Sequence, residues 1–176
     1  MTTVRPARPD DAGAIAAIYA PYVADGVVSF ETEPPDAAAM AGRMAAGGGL
    51  HPWLVAEEAG AVLGYAYASP FRERVAYRWA VETTVYVAGD AHRRGVGRSL
   101  YEALLELLTR QGFTQAVGVI ALPNDASVRL HERLGYVLIG VNAAVGWKQG
   151  RWIDVGVWQR RLATPADPPL PPRALR

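Results

Sequence analysis

Apolar residues recur along the chain with the two periods that distinguish helices from strands. After the acidic turn at 9–11, they follow the i, i+3, i+4, i+7 spacing of an amphipathic helix, at Ile15, Ile18, Tyr19 and Tyr22. Asp36 is placed to cap a second, alanine-rich helix that runs to about Ala46. Two further helical patterns cover 96–112 and 124–134.

β-branched and aromatic runs bounded by turn residues predict strands. They cover 3–7, 53–57, 61–69, 81–87, 116–122, 136–145 and 152–160. The short turn at 58–60 predicts a hairpin, and from 81 onward helices alternate with strands in a βαβα pattern. We therefore expect one α/β (α+β) domain over 1–162, with a mixed sheet of about seven strands and about four helices. The proline-rich segment 163–176 is expected to be a loose tail.

Composition narrows the class of protein. Hydrophobic residues make up 51% and charged residues 20%, and the formal net charge is +1, which gives no case for nucleic acid or an anionic membrane as partner. No stretch approaches the ~20 apolar residues of a membrane span, so we expect a cytoplasmic protein. The absence of cysteine excludes disulfides and thiolate metal sites, and the three histidines lack metal-ligand spacing. We expect no metal.

A basic, glycine-containing segment between a strand and a helix is the first candidate site. It consists of His92 followed by Arg93, Arg94, Gly95, Val96, Gly97 and Arg98. Glycines let successive backbone N–H groups turn toward one point, and the helix dipole and the guanidinium groups add positive potential, which suits a pyrophosphate. The segment is neither a P-loop nor a complete dinucleotide fingerprint. The alternative is a plain helix start with glycines for packing.

This segment resembles the [QR]-x-x-G-x-[GA] motif of the GNAT superfamily of N-acetyltransferases. The strand 81–87 (VETTVYV) and the run Asn124-Asp125-Ala126-Ser127…Leu134-Gly135-Tyr136 resemble that superfamily's other two landmarks, in the same order. The resemblance implies a GNAT fold and acetyl-CoA as co-substrate. It places the pantetheine arm along Val85, Tyr86 and Val87, beside Asn124 and Ser127. His92 departs from the motif, which usually has Gln or Arg there.

Acetyl transfer needs a neutral amine, so the site must supply a base. Glu82 is the candidate, because strand parity places it with Thr84 and Tyr86 on one side of a central strand. The alternative is a structural salt bridge from Glu82 to Arg72, Arg74 or Arg78. The oxyanion donor is expected to be a backbone N–H within 85–87.

His131 is the second catalytic candidate. In most GNAT enzymes the last helix carries a Tyr at this position, and that Tyr is the usual acid for the leaving thiolate. The resemblance therefore implies an acid/base role for His131, with Tyr136 and Tyr86 as fallback acids. The alternative is a satisfied core histidine, since His131 lies on the inward face of the helix with Ser127 and Leu134.

Five longer segments narrow the resemblance to the phosphinothricin acetyltransferase family, from about Val4 to Arg161. They lie at 28–33, 52–57, 81–87, 122–132 and 154–159. That resemblance implies transfer of acetyl to the α-amino group of phosphinothricin, or of methionine sulfoximine or sulfone, by a protein that is typically a homodimer. It also implies substrate contacts at Arg72, Arg74, Tyr77, Phe30 and Thr84. Arg72 stands where Lys is expected, which leaves the preferred side chain of the substrate open.

Two other functions stay open. The first is an N-acetyltransferase with another acceptor: an aminoglycoside, a polyamine or a protein N-terminus. Such an acceptor would favour an acidic cleft, whereas the loop 71–78 is basic. A catalytically inactive acetyl-CoA-binding sensor would tend to lose Glu82 or His131, and both are present. The loop 71–78 can also be a solvated charged hairpin, and 148–151 is interpreted as a hairpin turn.

Overall fold

The protein is described by a computed structural model that covers residues 1–174. The strands in this part of the chain are β1 Thr3–Pro6, β2 Trp53–Glu58, β3 Ala61–Pro70, β4 Ala80–Val87, β5 Gln115–Leu122, β6 Val137–Lys148 and β7 Arg151–Arg161. The α-helices are α1 Ala12–Ala24, α2 Ala37–Ala46, α3 Val96–Gln111 and α4 Asp125–Arg133. All the strands form one mixed sheet with the order β1-β2-β3-β4-β5-β7-β6.

The predicted fold is confirmed, because the local signals that define its elements act as expected. The side chain of Asp36 accepts a hydrogen bond from the backbone N–H of Ala39 at 2.8 Å and so caps α2. Gly135 has a φ of +81°, the left-handed conformation that closes α4. Strands β2 and β3 form the expected hairpin, and β4, α3 and β5 form a parallel crossover unit.

Strands β4 and β5 diverge partway along their length. Their parallel pairing is confined to Ala80, Val81 and Glu82, which face 115–117 of β5. Beyond that point β4 stays paired with β3 on its other side, through to Val87. The edge of β4 that faces β5 is therefore open from Thr83 onward, and a wedge-shaped cleft separates the two strands.

The two faces of β4 belong to different cores. Val81 and Val85 pack against the cluster that contains α3, whereas Tyr86 packs against the cluster of α1 and α2. Since side chains alternate along a strand, Glu82 and Thr84 lie on the same face as Tyr86. The parity predicted from the sequence is confirmed, and it separates the hydrophobic α3 side from a more polar α1 side.

The C-terminal segment differs from the expectation of a loose tail. Residues 163–174 contain no helix or strand, but the indole N–H of Trp79 donates to the backbone oxygen of Leu170 at 2.8 Å. The N–H of Arg173 donates to the backbone oxygen of Gln111 at 2.9 Å. The tail is thus attached at two points, one beside β4 and one at the end of α3; residues 175–176 lie outside the described part.

Within residues 1–174, no helix combines the length and the apolar character that crossing a membrane requires. The same residues contain no cluster of His, Asp or Glu arranged to hold a metal ion.

Candidate active site

The cleft between β4 and β5 brings together residues from four separate parts of the sequence. It is lined by Val28, Thr83, Thr84, Val85, Tyr86, Tyr101, Val119, Ile120, Ala121, Asn124, Ser127 and His131. Six of these were predicted as site residues, three from the strand 81–87 and three from α4 and its N-cap, Asn124. Pantetheine is an extended amide chain, and the open edge of β4 presents backbone groups that such a chain can pair with.

The segment after β4 has the backbone geometry that an anion site needs. Arg93 and Gly95 have φ values of +62° and +83°, so the chain reverses sharply before α3 begins at Val96. The first hydrogen bond to close this turn runs from the N–H of Ser99 to the oxygen of Gly95. The N–H groups of the first turn therefore have no intrahelical acceptor, and they point out of the helix with its positive dipole end.

Gly97 also has a packing role. A Cβ at this position would lie 3.5 Å from side-chain atoms of Val87 and Leu130, so α3 sits close to both β4 and α4. The packing interpretation of this glycine is therefore compatible with the anion-binding one.

The arginines of this segment are less free than the sequence indicates. Arg94 forms a salt bridge with Glu58, and Nε of Arg98 lies 2.8 Å from Glu102 Oε1, one turn along α3. Arg93 makes no ion pair with any residue in 1–174. Among the described residues, Arg93 is therefore the one arginine of the three without a carboxylate partner.

His92, the position that departs from the motif, braces the end of β4. Its Nε2 lies 2.9 Å from the hydroxyl of Tyr22 and 3.0 Å from the backbone oxygen of Val87. The Tyr22 hydroxyl also donates to that oxygen at 2.6 Å. The sequence placed Tyr22 in the core stripe of α1, and nothing in its pattern indicated this second contact.

Glu82 lies half-buried next to the point where β4 and β5 separate. Burial raises the pKa of its carboxyl, and the positive charge of Arg72 partly opposes that shift. Across residues 1–174 no salt bridge reaches Glu82. The structural salt bridge considered from the sequence is therefore absent, and the carboxylate is available as a proton acceptor.

His131 is buried in an aromatic cluster, with only 3% of its surface exposed. Its Nδ1 lies 2.8 Å from the backbone oxygen of Ser127, which can only accept, so Nδ1 carries the proton. Its Nε2 faces the hydroxyl of Tyr101 at 3.0 Å. Burial lowers the pKa of the imidazole, so His131 is neutral at pH 7 and Nε2 is a proton acceptor.

Three buried hydroxyl groups surround this histidine. The hydroxyls of Thr83 and Tyr136 lie 2.7 Å apart. The Tyr101 hydroxyl has one proton for two acceptors at 3.0 Å, the backbone oxygen of Thr83 and Nε2 of His131. Burial raises the pKa of Tyr136 to about 12 and raises the pKa of Tyr101 well above its ordinary value. Both phenols keep their protons at neutral pH.

Asn124 has a capping role that the sequence resemblance did not indicate. Its side-chain oxygen accepts the N–H of Ser127 at 3.1 Å, which starts α4. This bond orients the amide so that its NH₂ group remains as the donor at the edge of the cleft.

The predicted acceptor residues lie on two loops. Arg72, Arg74 and Tyr77 are exposed on the β3–β4 loop, where the Arg72 guanidinium carbon stands 4.4 Å from the centre of the Phe71 ring. Phe71 in turn meets the ring of Tyr77 edge to face. The charge of Arg72 is close enough to Glu82 to lower the pKa of its carboxyl, in part opposing the rise that burial causes. Arg74 and Tyr77 form no side-chain hydrogen bond within 1–174.

Phe30 lies on the loop between α1 and α2, and its side chain reaches the edge strand β6. Its ring covers Gly146 of β6 so closely that a Cβ at that glycine would fall 2.2 Å from the ring. Phe30, the residue predicted to form the apolar wall of the acceptor site, therefore packs against the β6–β7 hairpin. That contact was not visible in the sequence, where Gly146 is one glycine among many.

The remaining cleft residues were missed by the sequence interpretation. Val28 and Tyr101 lie in segments with other local explanations, a loop and a helix. Thr83 lies on the face of β4 opposite to Glu82, and the 119–121 stretch looks like an ordinary buried strand. No local pattern distinguishes them, because their position depends on how far β4 and β5 diverge.

Comparison with known proteins agrees with this geometry. Residues 4–157 match the family described as the acetyltransferase (GNAT) domain. A phosphinothricin N-acetyltransferase of Streptomyces viridochromogenes is 46% identical over 98% of this chain and 92% of its own. An L-methionine sulfoximine/L-methionine sulfone acetyltransferase of Pseudomonas paraeruginosa is 37% identical, over 91% of this chain and 94% of its own.

A solved structure is similar along nearly the same length. It is a GNAT superfamily phosphinothricin acetyltransferase from Sinorhizobium meliloti in complex with acetyl-CoA, with a TM-score of 0.87 and 41% identity. The match covers 91% of this chain and 88% of that one.

Proposed function

Since the chain belongs to the GNAT acetyltransferases, we propose that it transfers the acetyl group of acetyl-CoA to the α-amino group of phosphinothricin or a closely similar amino acid. Methionine sulfoximine and methionine sulfone are the nearest alternatives, since they are tetrahedral, polar-tailed amino acids of the same size. The observation that carries the proposal is the cleft between β4 and β5, where the open edge of β4 begins after Glu82 and runs to Val87, close to Gly97 at the start of α3.

In this proposal acetyl-CoA lies along the open edge of β4. Backbone groups of Val85, Tyr86 and Val87 pair with the amides of its pantetheine arm. The N–H groups from Gly95 to Arg98, with the guanidinium of Arg93, hold its pyrophosphate. Asn124 donates its amide NH₂ to the arm from the opposite wall, and Ser127 lines the same wall.

Glu82 accepts the proton of the substrate ammonium, directly or through one water molecule. Its raised pKa brings the carboxyl closer to the pH at which the amine itself titrates, which favours proton transfer. The freed lone pair attacks the thioester carbonyl, and a backbone N–H within 85–87 stabilises the oxyanion.

His131 has an acid/base role in which it can accept a proton but has none to give at Nε2. A neutral imidazole with its proton on Nδ1 accepts at Nε2, so it is suited to orient or accept and not to donate. The cleft also contains hydroxyl groups that hold a proton at neutral pH, among them those of Tyr86 and Tyr101. We therefore propose one of these as the acid for the leaving thiolate.

The acceptor lies on the Glu82 face of β4. Arg72 and Arg74 pair with its carboxylate and its phosphinate or sulfone oxygens, since a guanidinium fork binds such groups in a bidentate manner. Tyr77 and Thr84 add polar contacts, and Phe30 supplies the apolar wall.

We further propose a cytoplasmic homodimer. Large apolar side chains are exposed along the edge strand β6 and its hairpin partner, at Val137, Leu138, Ile139, Val141, Val145, Trp147 and Trp152. A concentration of exposed apolar side chains on one edge hairpin supports a protein–protein interface there. A second copy of the chain is the partner that the family resemblance implies.

A thiol-release assay with acetyl-CoA tests the substrate. We expect turnover with phosphinothricin, methionine sulfoximine or methionine sulfone, and much weaker turnover with glutamate, whose planar carboxylate lacks the tetrahedral tail. Turnover on spermidine, an aminoglycoside or a peptide N-terminus, with none on the three amino acids, would replace this proposal with the alternative acceptor class. Tight binding of acetyl-CoA without turnover on any amine would favour a sensor.

A further inference from the structure

The ammonium group of Lys148, the only lysine of the chain, is bound by backbone carbonyls from the end of α1 and from the loop that follows it. Lys148 ends β6 and faces Arg151 across the hairpin. Its Nζ donates to the backbone oxygens of Val23 at 2.6 Å, Ser29 at 2.8 Å and Glu31 at 2.9 Å. All three protons of the ammonium are therefore used, and all three acceptors lie within 23–31.

The loop held in this way carries Phe30 between two of the acceptors. On either side of Phe30 the chain is tied to the domain through side chains. The Ser29 hydroxyl lies 2.6 Å from that of Tyr19, and the Glu31 carboxylate is bound by Arg43 at 2.7 Å. These contacts attach the loop to α1 and α2, whereas Lys148 attaches it to the β6–β7 hairpin.

A second contact joins the same two parts of the molecule. The ring of Phe30 covers Gly146, two residues before Lys148, at a distance that excludes any side chain there. Lys148 fixes the backbone on both sides of Phe30, and Gly146 receives its ring. The position of Phe30 is therefore set by the hairpin and not by the loop alone.

We propose that Lys148 is a positioning residue for the acceptor site, which holds Phe30 against the β6–β7 hairpin and thereby fixes the apolar wall proposed for the amino-acid substrate. The inference rests on the proposed function, since it assigns Phe30 to the amino-acid substrate. The ammonium suits this role because three carbonyls converge on one compact donor. The planar fork of arginine directs its N–H groups into one plane and does not reproduce that geometry.

Kinetics of Lys148→Met test the proposal, with Arg151→Met as the matched control. Arg151 is the exposed cross-strand neighbour of Lys148. Its substitution by methionine removes a positive charge from the same hairpin without touching the loop that carries Phe30. We expect Lys148→Met to raise the KM for the amino acid by about tenfold, because a displaced Phe30 loses much of its apolar contact with the bound amino acid. The KM for acetyl-CoA stays within twofold, and Arg151→Met changes neither constant. An unchanged acceptor KM in Lys148→Met, or an equal rise of both constants, overturns the proposal.

Gly146→Ala tests the same link without removing the amine. Its methyl group displaces the Phe30 ring from its seat while the backbone conformation remains accessible to alanine. We expect the same rise of the acceptor KM with an unchanged KM for acetyl-CoA. This variant keeps the proposal testable if Lys148→Met folds poorly, and an unchanged acceptor KM counts against it.

Hydrogen exchange separates the failure of this inference from that of the proposed function, because it needs no acceptor. We expect the amides of 28–33 to exchange faster in Lys148→Met than in Arg151→Met. Equal exchange shows that Lys148 does not hold the loop, whatever the substrate. If exchange is faster but the unmodified chain turns over no amino acid, Lys148 does hold the loop and the proposed function is wrong.

Discussion

Replacing Glu82 with glutamine removes the proposed base with little change in shape. Glu82 makes no side-chain hydrogen bond or salt bridge within the described residues, so Glu82→Gln breaks no structural contact. Because burial raises the pKa of Glu82, the folded chain holds this proton more tightly than the unfolded chain does. Stability therefore falls as pH rises from the ordinary carboxyl value through the raised one. At pH 8 the neutral glutamine avoids that penalty, and we expect the variant to unfold at a temperature no lower than that of the unmodified protein.

The expected effect on turnover is large. General acid–base catalysis contributes about 10²–10⁴-fold, which corresponds to a barrier increase of about 2.7–5.5 kcal/mol. Without the base, only amine that is already deprotonated in solution can react, and α-amino groups titrate near ~8 in peptides and higher in free amino acids. The deficit of Glu82→Gln should therefore shrink as pH rises toward the pKa of the amine.

The assay is thiol release at saturating acetyl-CoA and amino acid between pH 6 and 9, with acetyl-CoA affinity measured separately by calorimetry. Glu73→Gln is the matched control, because Glu73 is an exposed carboxylate on the neighbouring β3–β4 loop. We expect it to retain full activity, and both variants to bind acetyl-CoA normally. If Glu82→Gln keeps turnover within threefold, or keeps the pH dependence of the unmodified enzyme, Glu82 is not the base.

Three further substitutions address the other parts of the site. Gly118→Ala places a methyl group 2.5 Å from Nε2 of His131, so the ring must move; we expect kcat to fall by about 10²-fold, as for a small misplacement of a catalytic group. Arg72→Met removes a charged contact worth about 1.5–3 kcal/mol, and we expect the KM for the amino acid to rise at least tenfold in steady-state kinetics. Trp147→Glu places a charge on the exposed apolar surface of β6, and we expect light scattering to report a monomer.

Each of these has a control of the same chemistry. Gly140→Ala adds a methyl group where no atom lies within 4 Å, and kcat should not change. Arg78→Met removes a charge from the same loop as Arg72 and should leave the acceptor KM within twofold. Leu170→Glu charges an exposed apolar residue of the tail and should leave the oligomer intact. A variant that behaves like its control contradicts the role assigned to its residue.

Local patterns were sufficient for the elements of the fold. The stripe on α1, the cap at Asp36 and the alternation along β4 each depend on residues that are close in sequence. The divergence of β4 from β5 was not predictable in this way, because it depends on where a parallel pairing stops. The family resemblance, and not a local signal, identified the residues at that point.

Contacts between distant residues were the part that the sequence did not reveal. Arg94 pairs with Glu58, and Trp79 binds the tail at Leu170, across separations that no periodicity encodes. Lys148 was correctly interpreted as part of a hairpin turn, but its amine binds carbonyls more than a hundred residues earlier. Composition marked it as unusual, as the only lysine, without indicating why.

The open edge of β4 also makes the folding stability of the chain depend on acetyl-CoA in the proposed complex. A strand edge with unpaired N–H and C=O groups can recruit another polypeptide and start self-association. In the proposed complex the pantetheine arm covers this edge, and a ligand present at 100 times its Kd adds about 2.7 kcal/mol to folding stability. Acetyl-CoA would then stabilise the folded enzyme as well as supply its acetyl group, and its removal would lower the folding stability of the protein by the same amount.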